Sequence, residues 1–324
     1  MSDNTTIEWA THTWNPWEGC TKVSPGCTNC YAEARNRRFS KGANWGKGKP
    51  RRRTSAATWR KPVIWNRDAE KQKRNDIGPF REMRPRVFPS LCDWLDDEVL
   101  IEWLDDFLRL IHDTPNLDWL LLTKRPENWL SRLRRVYARE EMMGGDGMAW
   151  AIALNHWLHG KPPANVWIGT SVEDQLRADE RIPELLKIPA VVRFLSVEPL
   201  LGPVELPFLG IAPKDLTNGS FLPISYLIDW VIIGGESGPG ARPCNIEWIR
   251  DIVRQCKAAS VPCFVKQLGS RVDIEDCEAP IPFRNTVSGK DGRWYVDLKH
   301  PKGGDPAEWP EDLRVRQFPT FATK

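Results

Sequence analysis

Cys20, Cys27 and Cys30 place three thiols in one short stretch, "GCTKVSPGCTNCYAE", with the spacing C-x6-C-x2-C. Cys27 and Cys30 make a good chelating pair, and Cys20 offers a third ligand from the preceding loop. A structural zinc site takes four Cys or His ligands. No second C-x-x-C exists in the chain, so a Cys3His zinc site would have to draw on a histidine such as His12. A [4Fe–4S] cluster held by three thiolates, with one iron left open, fits the ligand count better. Free or redox thiols are the remaining reading. The other cysteines (Cys92, Cys244, Cys256, Cys263, Cys277) are scattered and read as small buried hydrophobes.

A second set of reactive types sits where short apolar runs end. Asp93 follows "RVFPSLC", Lys124 and Arg125 follow "DWLLLT", Ser171, Glu173 and Asp174 end "NVWIG", and Ser196 and Glu198 end "VVRFL". Glu236 and Ser237 follow "DWVIIGG", and Lys266 and Gln267 lie at the end of "PCFV". Of these, Glu198 and Lys266 are the expected catalytic pair. The plain reading of Ser171 and Asp174 is a helix N-cap.

The elements that must position these groups alternate. The apolar runs, at 86–93, 118–128, 165–175, 191–202, 229–243 and 262–270, read as buried strands. Helical periodicity lies between them in "DDEVLIEWLDDFLRLIHD", "PENWLSRLRRVYARE", "SVEDQLRADERIPELLK" and "NIEWIRDIVRQCKAAS". Such alternation predicts an α/β fold: a (β/α) barrel or partial barrel of parallel strands, with polar strand ends converging at one mouth. Residues 1–270 are expected to form the barrel with its cysteine loop. Residues 203–228 read as a loop insertion. Residues 271–324 read as an extension packed on the barrel, a hairpin around "RWYVDLKH".

The chain of 324 residues is 41% hydrophobic and 27% charged, a globular composition. No apolar run approaches the roughly 20 residues of a membrane span. The N-terminus lacks the basic start and apolar core of a signal peptide, so a cytoplasmic protein with no membrane partner is expected. Net charge is only +3, which excludes a polycation overall. The charge is uneven, however: eleven Lys or Arg and no Asp or Glu lie between Arg35 and Lys61, with Phe39, Trp45 and Trp59 interleaved. That pattern suits phosphates and unpaired bases, and nucleic-acid contact is expected through Arg51, Arg52, Arg53 and Trp45. A solvated loop is the plain alternative.

Several stretches together carry a resemblance: "WNPWEGCTKVSPGCTNCYAE", "LLTKRPE", "VWIGTSVEDQ", "RFLSVEPLLG", "DWVIIGGESGPGARP", "FVKQLG" and "LRVRQFP". They resemble a family of uncharacterised bacterial and phage proteins with a three-cysteine motif. That family is similar at fold level to radical S-adenosylmethionine (SAM) enzymes such as the spore photoproduct lyases. The resemblance implies a [4Fe–4S] cluster on Cys20, Cys27 and Cys30, with SAM bound at the open iron. A nucleic acid or nucleotide-type substrate and an electron donor such as flavodoxin or ferredoxin would complete the reaction. It implies SAM contacts from Gly234, Gly235, Glu236 and Ser237, with Asp93 or Glu236 on the ammonium and Lys124, Arg125 or Lys266 on a carboxylate or phosphate. The chain departs from the radical-SAM pattern in two places: the usual spacing is C-x3-C-x2-C, and Gly234-Gly235-Glu236 follows a late strand rather than the second. Two other functions stay open: a non-catalytic iron–sulfur or zinc protein that binds nucleic acid, and a barrel hydrolase or lyase with a structural metal.

Overall fold

The computed structural model describes residues 5–75, 84–143, 148–206, 228–275 and 286–319. Cys277 and most of the expected 203–228 insertion lie outside them. The strands are β1 (His12–Thr13), β2 (Trp17–Glu18), β3 (Arg52–Arg53), β4 (Arg86–Phe88), β5 (Asp118–Thr123) and β6 (Val166–Ser171), followed by β7 (Val192–Val197), β8 (Trp230–Gly234), β9 (Cys244–Asn245), β10 (Cys263–Gln267), β11 (Val272–Asp273), β12 (Thr286–Ser288) and β13 (Trp294–Val296). The helices are α1 (Tyr31–Ser40), α2 (Ala56–Asn75), α3 (Ile101–His112), α4 (Trp129–Met143), α5 (Met148–Leu158), α6 (Gln175–Leu186) and α7 (Ile246–Ala258).

The protein is α/β. Seven strands form one sheet in the order β1-β4-β5-β6-β7-β8-β10. The pairs β1–β4, β4–β5, β7–β8 and β8–β10 all run parallel. This order has two ends, so the architecture is a generic partial barrel and not a closed one. All six expected strands are present, because each begins as a continuous apolar run of the kind that a parallel sheet buries. β5, β6, β7 and β8 are almost wholly buried.

Contacts group the chain into two compact units, Met1–Gly169 with Lys187–Val192, and Thr170–Leu186 with Arg193–Lys324. The first is centred on three fully buried rings. Trp14 lies 5.5 Å from Trp119 and 5.6 Å from Phe107, centroid to centroid. The indole N–H of Trp14 donates to the Thr58 carbonyl, and that of Trp119 to Thr114 Oγ1, so neither buries an unpaired donor. In the second unit Trp230 packs on Phe194 and Phe264. The free edge of β10 is covered by the C-terminal segment, where Val265 N–H donates to the Val315 carbonyl and Gln317 N–H to that of Cys263. The expected hairpin is β12–β13, antiparallel, in a small sheet of order β12-β13-β11-β9.

Three elements differ from the sequence reading. α3 starts at Ile101 rather than Asp96, because the carboxylates of Asp93 and Asp96 accept the backbone N–H groups of Leu95 and Glu98 and hold a turn there. α6 is capped by Asp174, which accepts from Arg177 N–H, not by Ser171, which is still in β6. The basic segment is part helix, in the end of α1 and the start of α2. α1 buries only Ala32, Glu33 and Asn36, so no apolar period announces it.

The N-terminal loop is fixed by a buried ion pair. Arg51 Nε lies 2.7 Å from Asp96 Oδ2, with the side chains 1% and 0% exposed. Its other N–H groups donate to Thr21 Oγ1 and to the carbonyls of Gly46 and Lys49. Gly19 sits under it at φ +121°, and a Cβ there would meet Arg51 Cδ at 2.8 Å. Removing one partner of such a pair leaves the other charged and dry. Arg51→Met is expected to cost about 3–5 kcal/mol in urea unfolding, and the double variant Arg51→Met/Asp96→Leu to recover much of it. A loss below about 1 kcal/mol for the single variant would mean that the pair does not hold the loop.

Asp118 opens β5 and is 6% exposed. Burial raises its pKa from 3.8 to about 6, although Arg84 and Arg86 pull it down. The folded state then holds this proton more tightly than the unfolded one, so the contribution of Asp118 to stability falls as pH rises from about 4 to about 6. Asp118→Asn removes that slope. Between pH 4.5 and pH 7.5 the variant's unfolding free energy is expected to gain about 2 kcal/mol relative to wild type. Parallel curves over that range would refute it.

Candidate functional site

Each unit gathers polar groups at the C-terminal ends of its strands, where α/β sheets place ligands. In the first unit, Asp93 follows β4 and is only 6% exposed. It accepts four hydrogen bonds: from the N–H groups of Leu95 and Lys124, from Thr123 Oγ1 at 2.7 Å, and from Arg125, whose Nη1 lies 2.9 Å away in an ion pair. Backbone and side-chain donors together occupy the carboxylate, so it serves its own fold and is not turned to a ligand ammonium. Arg125 also donates from NH2 to the Thr21 carbonyl at 2.7 Å and from NH1 to Cys20 Sγ at 3.6 Å. One buried arginine thus ties the cysteine loop to the ends of β4 and β5.

The three thiols do not converge. Cys20 contacts Arg125 and the Thr21 carbonyl, Cys27 lies 3.8 Å from Ser24 Oγ, and Cys30 is the N-cap residue of α1. Among the described residues, no group of three or more His, Cys, Asp or Glu could hold a metal ion. The expected [4Fe–4S] cluster on Cys20, Cys27 and Cys30 is therefore corrected. So are the readings built on it: SAM at an open iron, a radical-SAM-like enzyme, the iron–sulfur or zinc binder, and the hydrolase or lyase with a structural metal. His12, the proposed fourth zinc ligand, stacks on the Trp65 ring at 4.2 Å. Burial, with Asp93 and Asp96 adding negative charge against the opposing Arg125, pushes Cys20 up to about 12. Burial also raises Cys30.

The basic residues divide. Arg51 is buried against Asp96, while Arg52 pairs with Glu18 and Arg53 with Asp106, and the Arg53 guanidinium lies 4.3 Å from the Trp59 ring centroid. Burial would raise the pKa of Glu18, but hydrogen bonds and charge from Arg52 and Arg35 outweigh it and hold the carboxyl below its ordinary value. Trp45 is half-buried and bridges to Cys20 through the backbone. Lys124 is half-buried beyond β5. By contrast, Arg38, Lys41, Lys47 and Lys49 are exposed. Among the described residues none of these four has an acidic partner within ion-pair distance. The sequence reading missed them because a charge run does not say which members fold inward.

In the second unit, Glu198 and Lys266 do meet: Lys266 Nζ is 2.9 Å from Glu198 Oε1, and Ser196 Oγ donates to Glu198 Oε2 at 3.4 Å. Both side chains remain partly open to solvent, at 27% for Lys266 and 13% for Glu198. A paired ammonium and carboxylate held on β7 and β10 can exchange a proton or orient a polar ligand. The two glycines serve packing. A Cβ on Gly234 would meet the Glu198 carboxylate at 2.5 Å, and one on Gly235 would run into the Leu268 carbonyl. Glu236 is buried and held by Arg242, whose Nε and backbone N–H both reach Oε2 at 2.9 Å while NH2 lies 2.6 Å from Oε1. Ser237 is half-buried just beyond it.

The thiol environments have a direct consequence. With so little thiolate at neutral pH, Cys20 is expected to react with iodoacetamide at pH 7.5 at least ten-fold more slowly than a free cysteine of ordinary pKa near 8.5. Peptide mass spectrometry against time reads this out. Labelling of Cys20 at the free-cysteine rate would show that its surroundings do not suppress the thiolate.

Comparison with known proteins adds a family and no activity. No curated protein and no solved structure matches the chain. Residues 4–298 match the family described as "Protein of unknown function (DUF5131)". The expected membership in a radical-SAM-like, three-cysteine family gives way to that description, because the metal site that would define it is not assembled. With nearly the whole chain matched, the protein belongs to the DUF5131 family of proteins of unknown function.

Proposed function

We propose that the first unit binds nucleic acid through the basic surface of α1 and the segment leading to β3. One observation carries the reading: Arg38, Lys41, Lys47 and Lys49 lie close in sequence and are exposed, and among the described residues they have no ion-pair partner. Other cations of that stretch are spent on structure. Arg35 and Arg52 neutralise Glu18, Arg37 neutralises Glu33, and Arg51 is buried. A chain of net charge +3 that leaves four cations uncompensated between Arg38 and Lys49 concentrates its positive potential there. Phosphates are the chemical class that such a surface attracts.

No helix among the described residues is long and apolar enough to cross a membrane. The basic side chains are exposed to solvent, where phosphate contacts act by counterion release. Binding of a fluorescent oligonucleotide should weaken steeply as salt rises. Lys41, Lys47 and Lys49 changed together to Ala should lower the slope of log K against log salt by about 2, at roughly 0.7 per phosphate contact on a single strand. Anisotropy titrations between 50 and 300 mM salt, about the range in which such slopes are resolved, measure this. Binding that ignores salt, or a triple variant identical to wild type, would reject the reading.

A further inference from the structure

We infer that the exposed face of α1 is a stacking platform for unpaired bases, centred on Phe39, so that the nucleic acid taken by the first unit is single-stranded. This rests on the phosphate-binding reading above and gives it a substrate class.

α1 has the sequence YAEARNRRFS, and its buried residues are Ala32, Glu33 and Asn36. Its opposite face carries Tyr31, Arg35, Arg38 and Phe39 at i, i+4, i+7 and i+8, one continuous stripe of a helix. Phe39 is 67% exposed and Tyr31 60%. A phenylalanine ring so open to water gains little from the fold that holds it. Among the described residues it meets no other aromatic ring. Its neighbours are the guanidiniums of Arg35 and Arg38, each 5.3 Å from the ring centroid. Both guanidiniums lie over the ring at cation–π distance while Phe39 stays 67% exposed, and a flat cation against an open ring is itself a surface on which bases stack.

The stripe is also held in place. The Tyr31 hydroxyl donates to the Ser90 carbonyl at 2.5 Å, which sets the start of α1 against the chain leaving β4. That is the C-terminal end of a parallel strand, the end at which α/β sheets receive ligands. Arg38 and Lys41 lie beside Phe39 in sequence and are exposed, so phosphates and bases would be met together. In a duplex the base faces are stacked on one another and closed to Phe39; in a single strand they are free. An apolar peptide would also cover Phe39, but it would leave Arg38 and Lys41 without counter-charge.

The experiment compares three probes of equal length: a single-stranded oligonucleotide, the same strand with every base removed, and its duplex. Wild type should bind the single strand more tightly than either of the others. Phe39→Ala should weaken single-strand binding by roughly 5- to 150-fold, the effect of losing one stacked base, and leave abasic and duplex binding and the salt slope unchanged. Phe39→Trp should retain single-strand binding. Phe39→Leu should behave like Phe39→Ala, because it keeps apolar area but loses the ring face. Circular dichroism should show all three variants folded, as expected for an exposed position. A silent Phe39→Ala, a Phe39→Leu as good as wild type, or preference for duplex overturns the platform. If salt-dependent binding survives any of these results, the phosphate-binding reading stands and only the platform falls; if no probe binds, both fall.

Discussion

The first unit depends on two buried arginines that face two aspartates. Arg51 meets Asp96, and Arg125 meets Asp93, in a turn where both carboxylates also accept backbone N–H groups. The arginines come from far apart in sequence, and both donate to the cysteine loop at Thr21 as well. A loop with few apolar side chains cannot be held by burial alone. Charge-assisted hydrogen bonds in a dry setting hold it instead, and they are strong because they are fully satisfied. The turn after β4, the entry to β5's exit loop and the approach to α1 are all defined by this arrangement.

The same arrangement determines what the thiols can do. Cys20 lies beside Asp93 and Asp96, whose negative charges add to burial in disfavouring the thiolate. Arg125 opposes that shift but is already bound to Asp93. Three cysteines at chelating spacing thus do not assemble, among the described residues, into a group that could hold a metal ion. The second unit makes a parallel point. Gly234 and Gly235 read as room for a ligand, yet the space is taken by the Glu198 carboxylate and by the backbone at Leu268. Glu236, read as a ligand contact, is neutralised by Arg242 six residues later. Glu198 and Lys266 alone among the expected reactive groups of this unit are both joined to each other and partly open.

What the basic stretch presents to solvent follows from the pairing of its members. Glu18 and Glu33 are themselves buried, so each draws in more than one cation: Arg35 and Arg52 for the first, Lys22 and Arg37 for the second. The cations left over cluster at the end of α1 and in the turn after it. Positive side chains at a helix C-terminus also complement its dipole, which accounts for part of the presence of Arg37 and Arg38 there. It does not account for an exposed aromatic ring between two guanidiniums.

The sequence by itself determined the strand–helix order of the sheet. Apolar runs long enough to be buried on both sides, separated by segments of helical period, leave a parallel α/β arrangement as the outcome, and β4 to β8 and β10 begin within a residue or two of where those runs begin. It also placed the polar groups that follow each strand. It did not reveal α1, because that helix buries a glutamate and an asparagine instead of an apolar stripe, or the start of α3, where local carboxylates compete with the helix for backbone N–H groups. Only the tertiary structure decided which charges pair, whether the thiols meet, and which of the eleven clustered cations remain exposed. Those outcomes depend on groups brought together over separations such as the 104 residues between Thr21 and Arg125, and no local pattern encodes them.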